Sequence, residues 1–205
     1  MSYNTLASSD AVQKTLAALT ERGFKPVSVN TKEDALAKIK ELIPQGASVT
    51  NGSSQTLEQI GFVDYLKAGQ HGWNNLHEAV LAEKDPQKQS RLRKESTIAD
   101  VYLGSVHALS ETGEMVIASA SGSQLPSIVF NAKNLILVVG AQKITPSLEE
   151  AFKRLREYVF PLEDARMKST GAPGSVMAKI LLFEREPAFM GRNVHIILVN
   201  ETLGF

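Results

Sequence analysis

Cysteine is absent from this 205-residue sequence. Its absence removes disulfides, thiol nucleophiles, cysteine-ligated zinc and protein-ligated iron–sulfur clusters from consideration. Net charge is absent too: 22 Lys and Arg offset 22 Asp and Glu, which argues against a broad basic footprint for nucleic acid. No apolar run approaches the ~20 residues that a membrane span needs. The opening MSYNTLASSD lacks the apolar core of a signal peptide. Internal repeats, low-complexity tracts and Pro- or Ser-rich linkers are also missing. These absences lead us to expect a cytoplasmic protein with no membrane or nucleic-acid partner. They also suggest one domain over residues 1–205, with no cofactor and no metal.

What the sequence does contain is organised around residues 107–145, HALSETGEMVIASASGSQLPSIVFNAKNLILVVGAQKIT. Two apolar, β-branched runs, Met115–Ala118 and Leu135–Val139, are too short for free-standing helices and read as buried strands. Small-residue turns surround them at 111–113, 119–123 and 140–143. Upstream, Val12, Leu16 and Leu19 predict a helix capped by Ser8 or Ser9 and stopped at Gly23. Residues 25–30 read as a strand. Thr31 and Asp34 form the sequence of a capping box ahead of a helix carrying Leu36, Ile39 and Ile43. A second strand, 47–50, runs into Asn51-Gly52-Ser53-Ser54 and another helix. That order exposes backbone N–H groups to an anion, or is an ordinary βα turn. It is not a Walker loop, because the Gly-Lys-Ser/Thr ending is missing.

Residues 62–106 are the least periodic. Trp73 reads as a packing anchor, and the spacing of His71 and His77 fits no zinc motif. The charged segment 83–96, opened by Asp85-Pro86, reads as a solvated helix that can also serve as a lid or dimer arm. Thr145-Pro146 is expected to open a helix with a buried stripe of Leu148, Phe152, Leu155 and Val159 and with Arg154 outside it. Pro161 should bend or end it. Two strands, 179–183 and 194–199, are separated by a loop that allows an antiparallel pair, which would make the sheet mixed.

The motifs SETGEMVIASASGSQLP (110–126), LILVVGAQKI (135–144), EAFKRLREYVFPLEDAR (150–166) and HIILVNETLGF (195–205) resemble those of the LUD-domain family, the lactate-utilisation-type proteins. The resemblance implies a three-layer α/β/α fold with a mixed, mostly parallel sheet, similar to ribose-5-phosphate isomerase and CoA transferases. Thr112-Gly113-Glu114 departs from the Thr-Gly-Thr of many relatives. GAPGSVMAK (171–179) lacks the cysteine motif of some longer ones, so a metal or redox role tied to that motif does not carry over.

In such a fold, four turns should gather over one sheet margin. They are Asn51-Gly52-Ser53-Ser54, the Glu111–Glu114 turn with Thr112 and Gly113, Gly122-Ser123, and Gly140 with Lys143. They would offer N–H donors, hydroxyls, a cation and carboxylates to a small anionic metabolite. Two functions follow from the resemblance and these residues. One is an accessory or anion-binding component of lactate or other organic-acid utilisation, working beside iron–sulfur oxidoreductase subunits. The other is an isomerase- or transferase-type enzyme acting on a small carboxylate, sugar phosphate or acyl-CoA. It would use Glu111 or Glu114 as nucleophile or base.

Overall fold

The structure is a computed structural model that describes residues 3–205. Its strands are β1 (Lys25–Val29), β2 (Ser48–Asn51), β3 (Asn74–Asn75), β4 (Val101–Gly104), β5 (Ala108–Ser110), β6 (Met115–Ser119), β7 (Asn134–Gly140), β8 (Ile144–Thr145), β9 (Lys179–Phe183) and β10 (Asn193–Val199). The α-helices are α1 (Ser9–Glu21), α2 (Lys32–Leu42), α3 (Gln55–Gln59), α4 (Phe62–Lys67), α5 (Leu76–Ala82), α6 (Pro86–Glu95), α7 (Leu148–Arg154) and α8 (Phe160–Ser169). A π turn over Leu155–Val159 joins α7 to α8.

The main sheet has the order β1-β10-β7-β4-β2-β3, and every pairing in it is parallel. Period-two alternation sorts its central strands between two cores. Leu135, Leu137 and Val139 of β7 and Val194, Ile196 and Leu198 of β10 face one core. Ile136, Val138, Ile197 and Val199 face the other. Helices α2, α3 and α4 cover the second face, through Ala35, Ile39, Leu57, Phe62 and Leu66. On the first face lie α1, through Leu19, and a second sheet of order β8-β5-β6-β9. The outer side of that sheet packs on α7 and the π turn through Ala151, Leu155 and Val159. The outline is a three-layer α/β/α arrangement built on a mostly parallel sheet.

Several local expectations hold. Ser8 caps α1, the Thr31–Asp34 capping box is complete, and Asp85 caps α6 with Pro86 in its first turn. The central runs at 115–118 and 135–139 are strands, as expected, and fall in different sheets, because β6 pairs antiparallel with β5 and β9. Two other expectations are corrected. The strands at 179–183 and 194–199 do not pair with each other; β10 inserts in parallel between β1 and β7. The helix after β8 is capped by Ser147, not Thr145, and its π turn carries it through Pro161 to Ser169. Its buried residues are Ala151, Arg154, Leu155 and Val159, so Arg154 lies inside and not outside. No helix among the described residues is long and apolar enough to cross a membrane.

Leu137, fully buried at the middle of β7, should be among the costliest truncations. Urea unfolding of Leu137→Ala should show a loss of about 2–5 kcal/mol from the cavity and lost transfer energy. Leu81→Ala, at a position 58% exposed, should stay within about 0.5 kcal/mol of the parent.

Candidate functional site

Ligands of open parallel sheets bind beyond the carboxyl ends of the strands, and this sheet has a cleft there. Its key side chain is Lys143, at the end of the short 3-10 turn Ala141–Lys143 that follows β7. The turn folds the lysine back over the neighbouring strand ends. Its Nζ donates to Thr56 Oγ1 at 3.0 Å, beyond β2, and to Ser105 Oγ and Val106 O at 3.1 Å each, beyond β4. Lys143 is 3% exposed, and no carboxylate forms an ion pair with it among the described residues. Burial, with Arg154 nearby, pulls its pKa down from the ordinary 10.5 to about 7, because both disfavour the charged form.

His107 lines the same cleft. Its Nδ1 accepts from the Ala118 N–H at 3.1 Å, which leaves the neutral ring its proton on Nε2. Burial, Lys143 and Arg154 hold its pKa down to about 3, so near neutral pH it is an uncharged donor. Arg154 sits behind these two, fully buried, with its guanidinium bonded to the carbonyls of His107 and Tyr3. Among the described residues it too lacks a carboxylate partner, and its Nε has no hydrogen bond there. Burial lowers its pKa to about 10. Three basic side chains therefore cluster at this edge with no acidic counterpart.

The cleft holds about 480 Å³. One wall comes from the strand-end loops: Gly52–Thr56, Gly104–His107 and the Ala118–Gln124 region. The facing wall comes from the π turn, α8 and residues 175–177. Of the residues expected here, Gly52, Ser53, Ser54, Ser123 and Lys143 line the cleft. Gly52 is needed for close approach and not for an unusual φ. A Cβ there would stand 2.6 Å from the buried Tyr102 hydroxyl and 3.1 Å from Gln124 Oε1. The helix it leads into, α3, has only five residues, and Ser54 Oγ already accepts from the Leu57 N–H. Its dipole is therefore a minor contributor. Asn51 lies just behind the lining, buried, with Nδ2 donating to Gly52 O at 3.0 Å. Gly122 has φ +83° and gives its N–H to Ser119 Oγ at 2.9 Å, shaping the turn without lining the cleft. Gly140 lets residues 201–203 cross the end of β7, since a Cβ would be 2.8 Å from Glu201 O and Leu203 N.

The Glu111–Glu114 turn does not join this group, so the expected convergence of all four turns is corrected. Glu111 and Thr112 line a separate, charged hollow against α1, with Lys14, Arg22 and Arg185. Glu111 pairs with Lys14 at 2.9 Å. Glu114 pairs with Arg22 and accepts from Ser110 and Thr112. Burial opposes its ionisation, but the hydrogen bonds from Ser110, Thr112 and its own backbone and the Arg22 charge outweigh that and hold its pKa low. Gly113, at φ +92°, packs against Ala18 and Arg22, where a Cβ would meet Arg22 Cδ at 2.8 Å. The turn ties the β5–β6 hairpin to α1.

Thr56, Ser105, His107 and Arg154 were not singled out by sequence spacing. The one signal available was the small-residue pair Gly104-Ser105 at the end of β4, which resembles Gly52-Ser53 just after β2. Among the described residues there is no cluster of three or more His, Asp or Glu able to hold a metal ion. What this edge can do chemically is receive an anion: an ammonium, an imidazole N–H and several hydroxyls converge, and the carboxylate in the lining, Glu163, is taken up by Arg166 at 2.7 Å.

A family model described as the LUD domain matches residues 12–199. The crystal structure of a DUF162 family protein from Deinococcus radiodurans superposes with a TM-score of 0.58 at 14% identity, over 96% of this chain and 100% of that one. That likeness bears on fold alone. A search of curated proteins finds no match. With the domain match running almost end to end across the main sheet, the second sheet and the cleft between them, the chain belongs to the LUD-domain family.

Proposed function

We propose that this protein binds a small organic anion in the cleft and serves as an accessory component of lactate or other organic-acid utilisation. The observation that carries the binding half is Lys143. Its buried ammonium is satisfied by neutral acceptors only, at the edge of a cleft whose one acidic side chain, Glu163, is already paired. A buried charge without a counterion is costly, and an incoming carboxylate or phosphate removes that cost. Family membership supports the organic-acid context. Without cysteine the chain holds no cluster by thiolates, so electron transfer falls to partner subunits such as iron–sulfur oxidoreductases. We read the fold further as of the ribose-5-phosphate isomerase and CoA-transferase type, supported by the cleft's place at the carboxyl edge of a parallel sheet. The enzyme reading with Glu111 or Glu114 draws no support from their positions, since both are ion-paired outside the cleft.

Lys143 makes stability depend on pH. Its folded pKa of about 7 lies below the ordinary 10.5, so between those values the unfolded chain binds more protons and stability rises with pH. Urea unfolding from about pH 7 to about pH 10 should show this rise, on the order of a few kcal/mol. Lys143→Met should flatten it relative to the parent; an unchanged slope would show that the lysine is not desolvated as described.

Anion binding should show the opposite trend. A thermal-shift screen of organic acids, from hydroxy acids to medium-chain monocarboxylates, should find a ligand that stabilises by about 2.7 kcal/mol at ~100 times its Kd. Its affinity should weaken as pH rises above about 7, where free Lys143 loses its proton, and Lys143→Met should abolish binding. Binding that is indifferent to both pH and the substitution would place the ligand elsewhere.

A further inference from the structure

We propose that the ligand of this cleft is an amphipathic monocarboxylate, a carboxylate on an aliphatic or aryl body of medium length, and not a compact hydroxy acid. This rests on the anion-binding reading above and names the class of anion.

Charge sets the head group. The lining holds two cations, Lys143 and Arg166. Arg166 is neutralised by a two-pronged pair with Glu163, at 2.7 Å through both Nε and Nη2. Only Lys143 is left uncompensated in the lining, and His107 contributes a neutral N–H. One negative charge matches the one uncompensated cation that faces the cleft, since Arg154 lies behind it and gives its donors to the His107 and Tyr3 carbonyls. A phosphate dianion or the several charges of a CoA moiety would not be balanced.

The facing wall sets the body. It presents Leu155, Val159, Phe160, Met167, Val176 and Met177 to the cleft. Leu155 and Val159 are anchored in the core at 1% and 2% exposure, whereas Val176 is 65% exposed. Apolar side chains at the mouth of a cleft gain from being covered, at a rate set by the apolar area removed from water. A volume of about 480 Å³ falls among sites that enclose drug-sized ligands, roughly 300–1,000 Å³. A three-carbon acid would fill little of it and leave the apolar wall wet.

The test is calorimetric titration of the full chain with acetate, lactate, butyrate, hexanoate and octanoate, with inorganic phosphate and 1-octanol as controls. Affinity should rise about threefold to fourfold per added methylene until the cleft is full. Lactate, phosphate and octanol should each bind at least ~30-fold more weakly than octanoate, as expected when head or body is missing. Val176→Asp, at a solvent-facing position, should flatten the chain-length series. Lactate or phosphate binding as tightly as octanoate through Lys143 would overturn the amphipathic class and leave the anion site standing. A steep series unaffected by Val176→Asp would overturn it as well, by placing the chain on another surface. Failure of every anion to bind, in parent and Lys143→Met alike, would overturn the anion site itself.

Discussion

The buried ammonium of Lys143 is the constraint on which the carboxyl edge of the sheet depends. An unpaired charge in a protein interior costs several kcal/mol unless hydrogen bonds compensate it. Here the compensation is three acceptors at 3.0–3.1 Å, one beyond β2 and two beyond β4. The lysine itself follows β7. Satisfying one side chain therefore fixes three loops relative to one another, and the floor of the cleft is a consequence. Compensation by neutral acceptors holds the loops but leaves the charge uncancelled. Lys143 is thus a structural pin that also leaves a positive charge at the edge of the cleft.

The other end of the second sheet solves the same problem differently. Arg22 meets Glu114 and also donates to Thr112 O at 2.6 Å and Glu184 O at 2.8 Å. Glu114 in turn accepts from Ser110 and Thr112. Cation and carboxylate of this pair are each saturated, so the pair itself places no electrostatic demand on a ligand. The contrast explains why a glutamate in a turn is a poor guide to chemistry in this chain. A carboxylate with four donors is an anchor. A cation with none but neutral partners keeps a charge still to be cancelled.

The strands, their faces and their caps could be read from the sequence, because each depends on local information. Alternation in β7 and β10 assigns their side chains to two cores, and the Thr31–Asp34 pair announces its own helix. Pairing could not be read in the same way. β-Branched runs identify strands without naming partners, so nothing in Met115–Ala118 and Leu135–Val139 showed that they belong to different sheets. With the pairing unread, the 111–114 turn was expected at the edge that carries Lys143. Lys143 and the Gly52–Ser54 turn were legible, because each directly follows a parallel strand. His107 was not, since its role depends on an N–H eleven residues away, at Ala118. Arg154 was hidden by the assumption of one unbroken helical phase across a segment that contains a π turn.

That π turn also shapes the facing wall. Pro161 has no N–H to give and would crowd the carbonyl four residues earlier, which ordinarily breaks a helix. The wider turn over Leu155–Val159 precedes it directly, and the helix continues to Ser169. Phe160, Glu163 and Met167, at i, i+3 and i+7, then continue along the cleft the face begun by Leu155 and Val159. The charges on this wall, Glu163 and Arg166, cancel one another at i,i+3. One side of the cleft thus carries the Lys143 charge, and the other is close to neutral and largely apolar. The positive side of the gap is the strand-end loops and the apolar side is the helix, the arrangement that the proposed amphipathic monocarboxylate requires.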